Sequence, residues 1–279
     1  MTPLHRLPRD AWAGVWGVFT DIDDTLTTAG VITDEALAAL AKLDAAGVTV
    51  IPITGRPAGW SAPFALAWPV RAIVAENGAV ALHRANMASD GTAALAGKDS
   101  DDQLVKTYQA DPVTRAANYR RLQQVAECLL REVPGSTLAR DSAGRETDIA
   151  VDHGEFTRLD PEQIDAVVRI MRREGLNVSV SSIHINGWIG EHDKWQGACW
   201  ITRELLGHEL PAEIERWIYV GDSTNDQVMF QHFRHSVGVA NIRHFENQLQ
   251  HRPRHVTQSE RGAGFAEVAD RLLADRDTS

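Results

Sequence analysis

The sequence predicts an α/β fold: a Rossmann-like parallel-sheet core interrupted by an inserted α+β layer. Three observations predict it. Short β-branched strands alternate with amphipathic helices in the first part of the chain, the alternation breaks after Gly78, and it resumes at Lys194. The 279 residues are long enough for about two domains, and 43 % hydrophobic residues can supply their cores.

Taken in order, Trp16 to Thr20 reads as a buried strand, and Thr33-Asp34-Glu35 as the N-cap and acidic first turn of a helix running through Leu37, Leu40 and Leu43 to Gly47. "VTVIPIT" (48–54) and "RAIVAENG" (71–78) are the next two strands. "AVALHR" (79–84) and "QLVKTYQ" (103–109) are predicted to pair as a hairpin around an Ala/Gly/Asp-rich loop at 86–102, the expected flexible segment. From Pro112 the order becomes a helix to Arg131, a strand in "RETDIAVD" (145–152), a helix over 161–174, and two strands within "NVSVSSIHINGWIG" (177–190). The α/β rhythm then returns with a helix from Lys194 to Leu206 closed by Gly207, the strand "WIYVGD" (217–222), a short helix, the strand "SVGVAN" (236–241) and a last helix near 264–274. The expected division is 1–84 with 191–279 for the core, 85–111 for a hairpin and linker, and 112–190 for the inserted layer.

Composition excludes some classes. With 28 basic and 38 acidic residues the formal charge is −10, which argues against nucleic acid or an anionic membrane as the main partner. The apolar run from Ala11 to Phe19 is too short to span a bilayer, and "MTPLHRLPRD" has prolines and charges where a signal peptide needs an apolar stretch. Cys128 and Cys199 form no C-x-x-C, so neither a disulfide framework nor a zinc site is indicated, and a reducing cytoplasm is the expected location.

In an open parallel sheet, ligands bind outside the carboxyl ends of the strands. Four polar groups stand at such places: "FTDIDDT" (19–25), "ITGR" (53–56), Lys194 opening the returning helix, and "VGDSTND" (220–226). Singly, each has an ordinary explanation. An Asp after a strand is often an N-cap, Thr54-Gly55 a turn, "GDSTND" an Asx-turn, and a Lys at a helix start is ill placed against the dipole unless an anion meets it. Together and in this order, D-x-D-x-T at 21–25, Thr54, Lys194 and G-D-x-x-N-D at 221–226 resemble the four motifs of the haloacid dehalogenase superfamily. The insertion between the second and third motifs matches the position of the C2-type cap, and "ENGA" (76–79) resembles the sugar-phosphatase branch with the IIB cap. The resemblance covers essentially the whole chain, the cap by layout rather than by residues.

The resemblance implies a Mg²⁺-dependent phosphatase acting on a small phosphorylated metabolite, foremost a sugar phosphate. Asp21 would attack phosphorus to form an aspartyl phosphate, splitting a difficult displacement into two steps. Asp23 would protonate the leaving alkoxide and later take a proton from water, a role helped by carboxylate neighbours that disfavour its charged form. Thr54, Gly55 and Lys194 would hold the phosphoryl oxygens, and Asn225 would orient Asp21 or Lys194. Asp21, the Asp23 carbonyl and Asp222 would bind the metal, since Mg²⁺ takes oxygen ligands and needs only one or two carboxylates besides phosphate and water. Asp226 would support the metal's waters. Asp24 departs from the pattern, standing where many members of the family have Gly, and is left without a role.

Alternation in the inserted layer puts Ile183, Ile185 and Ile189 on one face and Ser182, His184, Asn186 and Trp188 on the other, and likewise separates Ile149 and Val151 from Asp148 and Asp152. The polar faces are expected to form one open surface turned toward the site, suited to a polyhydroxylated ligand that amides and acids bond and Trp188 stacks on. Arg56, Asn77, Asp148, His184, Asn186 and Trp188 are the candidate substrate contacts. A phosphomutase of the phosphomannomutase type is the main alternative; it must grip a second phosphate, and Arg145 alone stands near that face. A receiver-like phospho-acceptor or binding module is disfavoured by the pair Asp21 and Asp23 with so large a cap. Dehalogenation is disfavoured because Asp23 has little use in it.

Overall fold

The computed structural model describes residues 1–85 and 103–276; the loop expected to be flexible, 86–102, lies outside the described residues. In chain order the first part runs β1 (Thr2–Pro3), β2 (Gly17–Thr20), β3 (Thr27–Thr28), β4 (Val31–Ile32), α1 (Asp34–Ala45), β5 (Thr49–Pro52), α2 (Ala58–Ala67), β6 (Ile73–Ala75), β7 (Val80–Arg84) and β8 (Leu104–Tyr108). The inserted part is α3 (Pro112–Glu132), β9 (Thr137–Leu138), β10 (Asp148–Asp152), α4 (Pro161–Arg173), β11 (Asn177–Val180) and β12 (His184–Trp188). The chain returns through α5 (Lys194–Leu206), β13 (Trp217–Gly221), α6 (Gln227–His232), β14 (His235–Gly238), β15 (His255–Val256) and α7 (Arg261–Arg276).

The core sheet has the order β1-β15-β14-β13-β2-β5 and is parallel throughout. A single parallel bridge from Ile53 to Val74 leads on to β6, which then pairs antiparallel with β7 and β7 with β8. All four residues of β2 are buried, which a strand in a sheet covered on both faces requires. Leu40, Leu43, Phe265, Val268 and Leu272 of α1 and α7 cover one face. Ala198, Ile201, Met229 and Phe230 of α5 and α6 cover the other, with Trp217 and Tyr219 of the central strand. A Cβ on Gly17 would collide with the Trp217 ring, so close packing of these two neighbouring strands requires glycine there.

Helix starts and stops fall where capping chemistry predicts. The Thr33 hydroxyl accepts the Ala36 N–H at 3.2 Å, the Asp193 carboxylate accepts that of Gln196 at 2.7 Å, and Gly207 ends α5 with φ 67°. The last helix is longer than its predicted 264–274, and the paired edges β1–β15 and β3–β4 were not predicted, because two-residue strands carry no period. The β7–β8 hairpin forms as expected, but Leu104 and Tyr108 pack on the core cluster, so it belongs to the core layer rather than to a linker.

The inserted domain is a four-stranded antiparallel sheet, β11-β12-β10-β9, with α3 and α4 on one face. Leu122, Val125, Leu129, Val167 and Met171 of the helices pack on Ile149, Val151 and Ile185. Ile183 departs from its predicted face: it stands in the turn before β12, where the alternation is broken, and lines a small cleft together with Asp21 and Thr54. The polar face is not an open surface either. Asp148, Asp152, His184, Asn186 and Trp188 are all buried, Asn186 against the Gly55 carbonyl of the core. No helix among the described residues is long and apolar enough to cross a membrane.

Candidate active site

The sheet delivers its first acid at the end of β2, where the Asp21 N–H still bonds the Val220 carbonyl at 2.9 Å. The neighbouring β13 ends one residue before Asp222, and carboxylate oxygens of Asp21, Asp222 and Asp226 lie within 4.8 Å of one another. A Cβ on Gly221 would stand 2.5 Å from the Asp226 carboxylate, so glycine is needed for Asp226 to fold back under the strand end. The Lys194 ammonium, in the first turn of α5, sits 2.9 Å from Asp21 and 2.7 Å from Asp226. Asp226 also accepts the Tyr219 hydroxyl and the N–H groups of Asp222 at 2.9 Å and Ser223 at 3.2 Å. With both oxygens used in this way, Asp226 is placed to orient its neighbours rather than to ligate.

Asp222 has no cation partner among the described residues; it accepts the Asn241 amide at 3.2 Å and the Thr25 hydroxyl at 3.5 Å. Three buried acids therefore stand together with one ammonium, which pairs with two of them. Burial raises Asp21 to about 7, with Asp226 and Asp23 adding to the shift and Lys194 opposing it, and burial also holds Asp222 well above the ordinary carboxylate range. For Lys194, burial disfavours the charged form, but Asp21 and Asp226 outweigh it and its pKa is raised. A hard divalent cation fits this donor set: carboxylate oxygens only, and an excess negative charge that a dication would offset.

The loop after β5 is pinned to the turn after β6. Thr54 donates its N–H to Val74, its carbonyl accepts the Asn77 N–H at 2.9 Å, and its hydroxyl oxygen accepts the Arg56 N–H at 3.1 Å. Asn77 is 2 % exposed with φ 55°, and its amide nitrogen has no partner among the described residues. The Gly55 carbonyl accepts Arg145 at 3.0 Å and Asn186 at 3.1 Å, both from the inserted domain.

That domain is clasped to the core by further charges, the arginines buried and several of the acids half-buried. The Arg56 guanidinium holds Asp23 in a bidentate pair at 2.9 Å and reaches Asp141 at 3.1 Å and Glu155 at 2.9 Å. Glu155 in turn meets His184 at 3.0 Å; burial acts against its charge, yet the bonds from His184 and Arg56 hold it down to about 2. Arg145 pairs with Asp148 at 2.9 Å and Asp141 at 3.2 Å. Glu76 accepts the N–H groups of Ala58 at 2.9 Å, Glu146 at 3.0 Å and Thr147 at 2.6 Å, and burial pushes it up to about 7.

Asp21, Asp23, Thr54, Gly55, Arg56, His184, Asn186 and Asn225 thus line one cleft, whose volume of about 10 Å³ admits roughly one water. Asn225 corrects an expectation: its carbonyl oxygen accepts the Ser223 hydroxyl at 2.8 Å, and it bonds neither Asp21 nor Lys194. Asp148 is taken up by Arg145 and by the Asn186 amide at 2.9 Å, so it holds partners instead of facing a ligand. Trp188 stands in a second, larger cleft of about 530 Å³, shared with Asn77, Lys194 and Asn225 of the core, and donates its indole N–H to the His192 carbonyl at 2.8 Å. Asp24 acquires a place. Its backbone is left-handed, with φ 53°, a conformation Asp tolerates better than most residues. Its carboxylate accepts Arg261 at 3.0 Å and its carbonyl accepts Asn241 at 3.0 Å.

Asp141, Glu155, Glu76 and Asn241 were missed in the sequence. The first two lie in turns without period, and only their pairing with Arg56, 85 and 99 residues away, marks them. Glu76 stood inside a quoted motif, but nothing local tells that it accepts N–H groups 70 residues on.

Residues 18–105 match the family model described as haloacid dehalogenase-like hydrolase. No curated protein matches the chain. Among solved structures, it is similar to Thermoplasma acidophilum 0175, with a TM-score of 0.66 and 17 % identity over 93 % of this chain and 99 % of that one. The sucrose-phosphatase from Synechocystis, solved with sucrose and phosphate, aligns with a TM-score of 0.61 and 15 % identity over 92 % of this chain and 97 % of its own. The subclass IIB sugar phosphatase BT4131 gives 0.59 and 14 % over 92 % and 99 %.

Proposed function

We propose, on the premise that this chain belongs to the haloacid dehalogenase superfamily of hydrolases, that it is a Mg²⁺-dependent phosphatase of small phosphorylated metabolites, foremost sugar phosphates. The observation that carries this reading is Asp21 at a strand end, held by Lys194 and beside an Asp222 that no cation among the described residues neutralises. Asp21 attacks phosphorus; its oxygen–phosphorus bond forms as the bond to the leaving oxygen breaks, and the leaving alkoxide takes a proton from Asp23. Water then attacks the aspartyl phosphate, gives a proton back to Asp23, and releases phosphate. Lys194 offsets charge on the phosphoryl oxygens, and the Thr54 hydroxyl has its proton free to donate to them. Mg²⁺, held by Asp21, Asp222 and the Asp23 carbonyl, supplies further charge neutralisation when bound.

The clasp has to part for this chemistry. A cleft of about 10 Å³ cannot hold a phosphoryl group, and Asp23 cannot serve the leaving group while its carboxylate lies in the fork of Arg56. The leaving group would occupy the larger cleft, where Asn77, Asn177, Ser179, Thr224 and Gln227 offer amides and hydroxyls beside Trp188. Two cysteines without a disulfide fit a reducing, cytoplasmic location. Phosphate release from a panel of phosphorylated sugars, nucleotides and glycolytic acids, with Mg²⁺ and with chelator, tests the reading. Release from sugar phosphates that chelator abolishes is expected; release indifferent to chelator, or none from any compound, contradicts it.

A further inference from the structure

We propose that the substrate carries a second anionic group, remote from the phosphoryl group that is removed, and that Arg172 of the cap receives it. The proposal rests on the phosphatase reading above and names the substrate class more narrowly. Arg172 stands in the last turn of α4 and lines the cleft of about 530 Å³ together with Lys194, Asn225, Thr224 and Trp188. That volume suits a small ligand with a group beyond its phosphate.

The other cations of the region are engaged. Lys194 is held by Asp21 and Asp226, Arg56 by Asp23, Asp141 and Glu155, and Arg145 by Asp148 and Asp141. Arg173, the next residue of α4, pairs with Glu132 and Glu174. The Arg172 guanidinium, on an exposed residue at the cleft wall, has no hydrogen bond or ion pair among the described residues. Two acids share its wall. Asp193 is spent on capping α5, and Glu191, on the linker that also borders the neighbouring cavity, makes no ion pair with Arg172. His192 adds no charge, because burial pushes its pKa down to about 4.

Unfilled donors thus stand at two places in one cleft. One is the buried Asn77 amide, beside Gly55 of the phosphate loop; the other is the Arg172 guanidinium, on the cap. A phosphorylated polyhydroxy compound with an anion at its far end satisfies both. Lys194 belongs to the core and Arg172 to the cap, so such a substrate engages both domains at once, and binding energy far from the reacting bond favours the closed arrangement. A carboxylate and a second phosphate share the required chemistry.

The test compares kcat/KM for glucose 6-phosphate, 6-phosphogluconate and fructose 1,6-bisphosphate in the native chain, R172A and R172K. A preference of about tenfold or more for one of the two doubly anionic compounds is expected, the scale of one charge-assisted contact. R172A should collapse that ratio through KM, and R172K should restore part of it, less for the carboxylate because lysine lacks the planar fork. The responsive compound identifies the anion. No preference in the native chain, or equal loss for all three compounds in R172A, overturns the proposal. Equilibrium titration of the same compounds into D21N, with and without R172A, separates this from the phosphatase reading. Preferential binding that R172A removes upholds the Arg172 assignment even if no phosphate is ever released, and equal binding of all three refutes it.

Discussion

Two groups of charges meet at this site, one buried and one partly buried, and they differ in how they are satisfied. At the strand ends Lys194 serves Asp21 and Asp226, and Asp222 beside them has no cation partner among the described residues. In the clasp each carboxylate has a donor: Arg56 serves Asp23, Asp141 and Glu155, Arg145 serves Asp148 and Asp141, and backbone N–H groups serve Glu76. The first group leaves negative charge that a divalent cation would offset, and the second joins the inserted domain to the core through Arg56 and Arg145. A buried charge without a partner is costly enough that proteins keep one only where something else arrives to meet it.

The largest effect should come from removing Asp21, the proposed nucleophile. Asp21→Asn is expected to lower Mg²⁺-dependent phosphate release by on the order of a thousandfold or more while leaving the circular dichroism spectrum unchanged. Lys194→Met breaks the strand-end group by leaving Asp21 and Asp226 without a cation. The cost should be about 3–5 kcal/mol in chelator, read by denaturant unfolding, with a smaller deficit in Mg²⁺.

The clasp gives smaller effects. Glu76 provides its pH test. Burial raises it to about 7 from 4.5, so its contribution is fully present below pH 4.5 and is lost as pH rises through 7. Native stability should therefore fall between these values by about 3 kcal/mol at most more than that of Glu76→Gln, as unfolding at pH 5 and pH 8 would measure. Arg56→Ala should free the cap, seen as a larger radius of gyration in solution scattering and a loss of about 2 kcal/mol. The smallest effect is expected at Asp24. Its partner Arg261 is 40 % exposed, so Asp24→Gly should shift stability by about 1 kcal/mol or less, and turnover by less than twofold.

The two groups also differ in how far they could be read from the sequence. Asp21, Asp23, Thr54, Lys194 and Asp222 stand at the ends of short apolar strands or at a helix start, so local pattern and parallel-sheet topology bring them together before any coordinate is seen. The order of core elements was legible for the same reason: β2, α1, β5, α5 and β13 carry caps, β-branched runs and a closing glycine. The clasp depends on pairings such as Arg56 with Glu155 and Glu76 with Thr147, which no local period encodes. Alternation in β12 sorted His184, Asn186 and Trp188 correctly onto one face, but could not tell that the face lies buried against Gly55 and Glu155. Asp24 looked unexplained because its partner Arg261 lies 237 residues away.

The proposed mechanism requires that Asp21 become covalently phosphorylated. The direct test is peptide mass spectrometry of the native chain, quenched in acid during turnover with Mg²⁺. A single phosphoryl adduct on the peptide containing Asp21, absent in Asp21→Asn and absent with chelator, is the predicted result. Sustained phosphate release with that peptide unmodified, or with the adduct on another residue, would contradict it.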